Sequence, residues 1–267
     1  MGVSEGGLAS SNRPGASLPS GRQWLLLTLQ MGLVPTANRE ASPVDRQQRR
    51  RRMGVVGVRS FRPADRAAVR DISYRTGFMG ESAESFWRHK ESWADLWTSY
   101  YTDQEPESLH VATMDDAVVG YLAGCRNTAA MRPSTEELTK TVIRRHWLLF
   151  RPGTAGFLYR GLLDSLRDRE RASGDFIDPR WPAHLHVDLL PAARGTGLGA
   201  ALMERWLQQL REAASPGCHL LTLVENMRAL KFFEKSGFRN HGNPTLVGGM
   251  RGKQGERLHQ QVMVWNP

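Results

Sequence analysis

A chain of 267 residues with 40% hydrophobic and 24% charged residues is long enough to bury a substantial core and has the balance of an ordinary globular protein. Two cysteines, Cys125 and Cys218, are too few for a disulfide framework or a cysteine metal cluster; each follows a glycine in an apolar stretch and reads as a small buried residue. The net charge of +9 is not spread over the chain, because residues 1–52 hold eight arginines against Glu5, Glu40 and Asp45, so charge alone does not mark the rest as a nucleic-acid binder.

Residues 1–23 are rich in Gly, Ser and Pro and are expected to be disordered. The apolar run from Trp24 to Val34 is far too short to span a bilayer, and no convincing small-x-small cleavage site follows it. Arg49 to Arg52 stand directly before Met53, where the fold-like pattern begins. A solvated tail is the common fate of such a run, a nucleic-acid contact is the alternative, and a translation start at Met53 is the favoured expectation.

Gly54 to Arg59 reads as a strand carrying Val55, Val56 and Val58, and Pro63 and Asp65 open a helix from about Ala64 to Thr76. Ser82 to Tyr101 has the spacing of a helix with a broad aromatic face, interrupted near its end. Leu109–Met114 and Val118–Cys125 form a hairpin over Asp115-Asp116; periodicity leaves open whether Tyr121 faces core or cleft. Between 126 and 183 a capping box at Ser134 and Glu137 starts a helix to Phe150, Arg151-Pro152-Gly153 ends it, and a second helix spans Ala155 to Arg169 before a loop.

The strand His184–Leu190 puts Leu185, Val187 and Leu189 on one face and His184, His186, Asp188 and Leu190 on the other. Two imidazoles and a carboxylate on one face suit a metal, a hydrogen-bonded array or acid–base chemistry; a metal needs a further ligand cluster that the chain does not offer, so none is expected. The strand runs through Pro191 into Arg194-Gly195-Thr196-Gly197-Leu198-Gly199 and then a helix to about Ala213. Glycines at such a junction let a ligand's phosphates approach the free amides of the helix's first turn. Ala200 and Ala201 stand where a P-loop needs Lys and Ser or Thr, and the glycine spacing does not fit the dinucleotide fingerprint. A strand Gly217–Val224, the run Asn226-Met227-Arg228-Ala229-Leu230-Lys231-Phe232-Phe233-Glu234-Lys235-Ser236-Gly237-Phe238, and strands Asn243–Gly248 and Leu258–Val264 follow, with Arg251, Lys253 and Arg257 between the last two.

Arg194-x-x-Gly197-x-Gly199, followed in order by the Asn226–Phe238 run, resembles the two signatures of the GCN5-related N-acetyltransferase (GNAT) superfamily, over roughly Val55 to Val264. Within it, Pro182-Ala183-His184-Leu185-His186-Val187-Asp188-Leu189-Leu190-Pro191 is similar to bacterial acetyltransferases related to the acetyltransferase-like C-terminal domain of O-GlcNAcase. The resemblance implies an α/β fold in residues 53–267, with a mixed, mostly antiparallel sheet flanked by helices and a helical insertion between strands three and four. It implies acetyl-coenzyme A as cofactor, held by Leu189, Leu190, Arg194, Gly195, Thr196, Gly197, Leu198, Gly199, Asn226 and Phe233.

The implied reaction is direct transfer of acetyl to a primary amine in a ternary complex, with Asp188, His186 or Glu225 as proton acceptor. Trp97, Tyr100 and Tyr101 fall where the family borders its acceptor site, and Tyr121 and Tyr159 join them. Phe233 stands where many members have a tyrosine assigned to the thiolate leaving group, and phenylalanine has no donor. A coenzyme-binding domain without turnover is therefore the first alternative, and a nucleic-acid binder through the basic extension the second. A cytoplasmic enzyme, away from membranes and able to form a homodimer, is expected; the insertion would cover the acceptor pocket or build the dimer interface.

Overall fold

The computed structural model describes residues 55–167 and 176–267. The Trp24–Val34 run, the arginine run and the Met53 start lie outside them, as does the end of the second insertion helix. The elements are β1 (Val56–Ser60), α1 (Arg66–Thr76), α2 (Lys90–Asp103), β2 (Leu109–Met114), β3 (Ala117–Cys125), α3 (Thr128–Arg145), α4 (Thr154–Arg167), β4 (Ala183–Leu189), α5 (Leu198–Glu212), β5 (Cys218–Leu223), α6 (Met227–Lys235), β6 (Arg239–Arg251) and β7 (Arg257–Trp265). The strands form a single sheet in the order β1-β2-β3-β4-β5-β7-β6, antiparallel everywhere except between β4 and β5. This is the mixed, largely antiparallel sheet with a helical insertion between β3 and β4 that the resemblance implies.

Period-two alternation on β4 divides the core. Leu185, Val187 and Leu189 turn to one face, where they pack with Leu198, Leu202, Met203, Trp206 and Leu210 of α5 and Phe233 of α6. The apolar side of α5 repeats at helical spacing, so one face of the helix is buried along its length. Trp206 is fully buried there, and a Cβ on Gly124 of β3 would sit 2.5 Å from its ring. Trp206→Ala is expected to cost about 3–5 kcal/mol, read as a lower midpoint in thermal unfolding followed by circular dichroism. On the opposite face α1 and α2 cover β2 and β3 through Val69, Ile72, Tyr101, Leu109, Val111 and Tyr121.

Several boundaries differ from expectation. α3 ends at Arg145, with a separate 3-10 turn at Leu148–Phe150. β6 spans Arg239–Arg251, so Arg251 and Arg257 lie in the last two strands rather than between them. The aromatic stretch is broken at its start rather than its end: Ala83–Ser85 is a 3-10 turn, and α2 begins at Lys90 with the His89 ring accepting from the Ser92 amide at 3.2 Å. The insertion helix starts six residues before Ser134, capped by Asn127, whose side chain accepts from the Ala130 amide at 3.1 Å. Pro133 sits within that helix. The insertion is anchored by aromatic packing of Phe157 on Phe86 and Trp87, and by Asp164, which accepts from the Gly249 amide and the Arg251 guanidinium of β6. No described helix is long and apolar enough to cross a membrane.

Candidate functional site

The parallel register between β4 and β5 consists of Ala183 opposite Cys218 and His184 opposite His219, and goes no further. β4 nevertheless continues to Leu189 on its β3 side, and β5 to Leu223 on its β7 side. The two arms therefore diverge and leave an opening between adjacent strands of one sheet. The Leu190 amide donates to Val119 of β3 at 2.9 Å, so it is engaged within the sheet. Strand alternation turns the neighbouring Leu189 amide away from β3, toward the opening.

The β4–α5 loop borders this opening. Gly195 and Gly197 have φ of +75° and +89°, a region that other residues enter only under strain, and a Cβ on either would meet nothing within 4 Å. The loop thus presents bare backbone beside the first turn of a 15-residue helix. Gly199 serves packing instead, since a Cβ there would lie 3.2 Å from Leu189, and its absence lets the helix approach the strand closely. Thr196 closes the loop by donating to the Ala193 carbonyl at 2.6 Å. Arg194 donates to the carbonyls of Leu189 (3.1 Å) and Gly80 (2.7 Å), tying loop, strand end and the α1–α2 connection together.

Two buried donors in this region have no partner among the described residues: Asn226 Nδ2 and Arg228 Nε. Asn226 caps α6 through its oxygen, which accepts from the Ala229 amide, so its amide nitrogen is left over. Burial, with Arg194 close by, pushes the Arg228 guanidinium down to about 10. Two neighbouring cations and an unused amide suit an anionic ligand with further acceptors. Arg228 carries no signal of this role in the sequence alone, although it lies inside the second motif.

On the other face of β4, Asp188 is buried and accepts from the Tyr121 hydroxyl at 2.6 Å and the Thr76 hydroxyl at 2.8 Å. Burial raises its carboxyl to about 6 against the pull of both hydroxyls. Thr76 also lies 2.7 Å from the Ile72 carbonyl. A hydroxyl has one proton, so both contacts are hydrogen bonds at once only when Asp188 is protonated, with Asp188 donating to Thr76 and Thr76 donating to Ile72. When Asp188 ionises, the Thr76 proton turns to the carboxylate, and Ile72 keeps its helical amide partner. A small polar cavity of about 10 Å³, enough for one water, is lined by Ser73, Gly77, Trp93, Trp97, Tyr121, His186 and Asp188.

This cavity brings together Asp188, His186, Tyr121 and Trp97, whose buried Nε1 has no partner among the described residues. The other predicted acceptor and acid–base residues do not line it, although the Tyr101 ring packs edge-on against His186 at 5.5 Å. Tyr101 hydrogen-bonds His184 Nε2 at 2.8 Å, and the Thr128 hydroxyl donates to Pro182 while contacting His184 Nδ1, so His184 bridges two hydroxyls within the fold. Burial, followed by the neighbouring His186 and His219, holds it well below the usual histidine range. Tyr100 turns to Glu105 and Cys125, and Tyr159 is 62% exposed on α4. Glu225, after β5 on the other arm, accepts from the His259 amide. Phe233 is fully buried between Phe232 and Phe238. Ser73, Thr76, Gly77 and Trp93 carried no sequence signal for this site. No group of three His, Cys, Asp or Glu among the described residues could hold a metal ion.

The structure is similar to that of a protein described as SsHAT, with a TM-score of 0.59, 26% identity, and coverage of 79% of this chain and 98% of that one. An acetyltransferase structure aligns with a TM-score of 0.50, 15% identity and coverage of 79% and 98%. The structure of yncA from Salmonella typhimurium with its cofactor acetyl-CoA aligns with a TM-score of 0.48, 16% identity and coverage of 79% and 93%. The family model described as Acetyltransferase (GNAT) family matches residues 74–238, from the end of α1 through both motifs. Divided strands, open glycine loop and this match over more than half of the sequence together mean that the chain belongs to the acetyltransferase (GNAT) family.

Proposed function

We propose that this chain transfers acetyl from acetyl-coenzyme A to a primary amine by direct attack in a ternary complex in the cytoplasm. The observation that carries the reading is the divergence of β4 and β5 beyond His184 beside a loop with two open, positive-φ glycines. The residues fit the group: Gly195, Gly197 and the first turn of α5 for the pyrophosphate, Arg194 and Arg228 for its charge, and Asn226 Nδ2 for the arm. Bound acetyl-coenzyme A supplies the acyl carbon and a thiolate leaving group.

Asp188 is the proposed proton acceptor. An ammonium has no lone pair, so the acceptor nitrogen must lose a proton before or as it attacks, and a carboxylate at about 6 is ionised at neutral pH yet basic enough to take it. His186 shares the cavity and is the second candidate, whereas Glu225 is turned onto β7. The Leu189 amide faces the opening, where it can stabilise charge developing on the carbonyl oxygen. Thr76 acts as a positioning residue that satisfies Asp188 in both protonation states. Thr76→Val removes a donor to the ionised form, so the acid limb of the kcat/KM profile is expected to move above about 6, while Thr76→Ser restores it.

Phe233 favours one second reading, a coenzyme-binding domain that does not turn over, in keeping with the proposed affiliation to the O-GlcNAcase-type acetyltransferase-like domains. Following thiol release from acetyl-coenzyme A over a panel of primary amines separates the two. Amine-dependent release supports the enzyme; tight coenzyme binding with no release by any amine supports the second reading.

A further inference from the structure

A second concavity, a cleft of about 820 Å³, lies between the α1–α2 connection, α4 of the insertion and the β6–β7 turn. It has the size of a small-molecule site. The turn after α1 places it beside the reaction centre: Thr76 holds Asp188, Gly77 lines the Asp188 cavity, Phe78 lines the cleft, and the Gly80 carbonyl binds Arg194. One short stretch of chain thus touches the proposed base, the coenzyme loop and the cleft wall.

The charges of the cleft are unequal in how they are satisfied. Arg251 is held bidentately by Asp164, at 2.8 and 2.9 Å, and Lys253 meets Glu81 across the mouth at 3.1 Å. Arg88 and Arg160 have no carboxylate partner among the described residues; Arg160 donates only to the Gly249 carbonyl, at a long 3.3 Å. The two exposed arginines come from separate elements, the α1–α2 connection and the insertion helix, and line the same cleft together with Phe78 and Phe86, both buried. Planar guanidiniums without a carboxylate are matched to an oxyanion. Glu84 lines the same cleft and, unlike Glu81, is not taken up by Lys253, so it favours a cationic group there.

We infer that this cleft binds the acceptor, and that the acceptor is an amine that also carries an oxyanion, a carboxylate or phosphate, which Arg160 and Arg88 hold while the nitrogen points toward Asp188. This rests on the acetyl-transfer reading, to which it adds the substrate class. The insertion then acts as a specificity element, since α4 contributes Arg160.

The test uses two matched pairs titrated into the full-length chain saturated with coenzyme A: β-alanine against β-alaninamide, and phosphoethanolamine against ethanolamine. In at least one pair the anionic member is expected to bind about tenfold or more tighter, with the pair that responds identifying the oxyanion. Arg160→Gln is expected to erase that preference and leave acetyl-coenzyme A affinity unchanged. Equal binding within both pairs, no binding by either anionic member, or a preference that survives both Arg160→Gln and Arg88→Gln overturns the inference. Failure of the wild-type chain to bind acetyl-coenzyme A at all would instead overturn the reading beneath it.

Discussion

Asp188→Asn is expected to lower turnover about 10²- to 10⁴-fold, the range associated with losing a positioned proton acceptor, while leaving acetyl-coenzyme A affinity unchanged. Asparagine keeps the shape, but its single oxygen accepts from only one of the two hydroxyls that Asp188 Oδ1 and Oδ2 now serve. Its amide nitrogen faces the other hydroxyl as a donor, and it cannot take a proton. The wild-type kcat/KM is expected to rise with pH through about 6, because the acceptor must be ionised to act. Stability moves the other way. The folded-state value of about 6 lies above the ordinary 3.8, so this group's contribution is fully present below about 3.8 and is lost as pH rises through about 6. The loss amounts to about 3 kcal/mol. Carboxylates such as Asp65 and Asp164, held low by arginines, impose the opposite slope, so the comparison must be between wild type and variant at each pH. The difference in thermal midpoint is expected to shift toward the variant between pH 4 and 7. A variant that is less active yet no less stable at neutral pH is the pattern of a buried charge kept for chemistry.

Gly197→Asp is the second large effect: acetyl-coenzyme A affinity is expected to fall by about 100-fold or more. At φ of +89° any side chain is strained, and the space around the would-be Cβ is empty, so the aspartate projects where the pyrophosphate would lie. Its carboxylate would compete for the same first-turn amides and repel the phosphates. Gly197→Ala separates the causes, since it adds the strain without the charge and is expected to cost far less affinity. Equal losses in the two variants, measured by calorimetry, would mean that the loop acts through its conformation alone.

Much of this architecture could be read from local pattern. Alternation on β4 assigned Leu185, Val187 and Leu189 to one face and His184, His186 and Asp188 to the other, because successive side chains of a strand point to opposite faces whether or not both are buried, as both are here. The glycines of the β4–α5 loop were legible for a similar reason, as few other residues sit at Gly195 and Gly197 without strain. Element boundaries in the aromatic and insertion segments were not. Ser134 and Glu137 have the chemistry of a capping box, but Asn127 has cap chemistry too, and the choice between them is made by packing of α3 on α2 rather than by sequence. Burial makes Asp188 basic, and the hydroxyl contacts that hold it there could not be read from the sequence as contacts. Thr76 and Tyr121 are 112 and 67 residues away from it, and a threonine late in a helix gives no sign of its target until sheet order and the placement of α1 bring it there.

Calorimetric titration of the full-length chain with acetyl-coenzyme A, with Gly197→Asp run in parallel, tests the central claim most directly. Saturable binding at one site per chain, lost or weakened about 100-fold in the variant, is the predicted result. Absence of saturable binding by the wild-type chain would contradict the account, because the divided strands, the open glycine loop and the unpartnered Asn226 and Arg228 nitrogens would then hold no coenzyme.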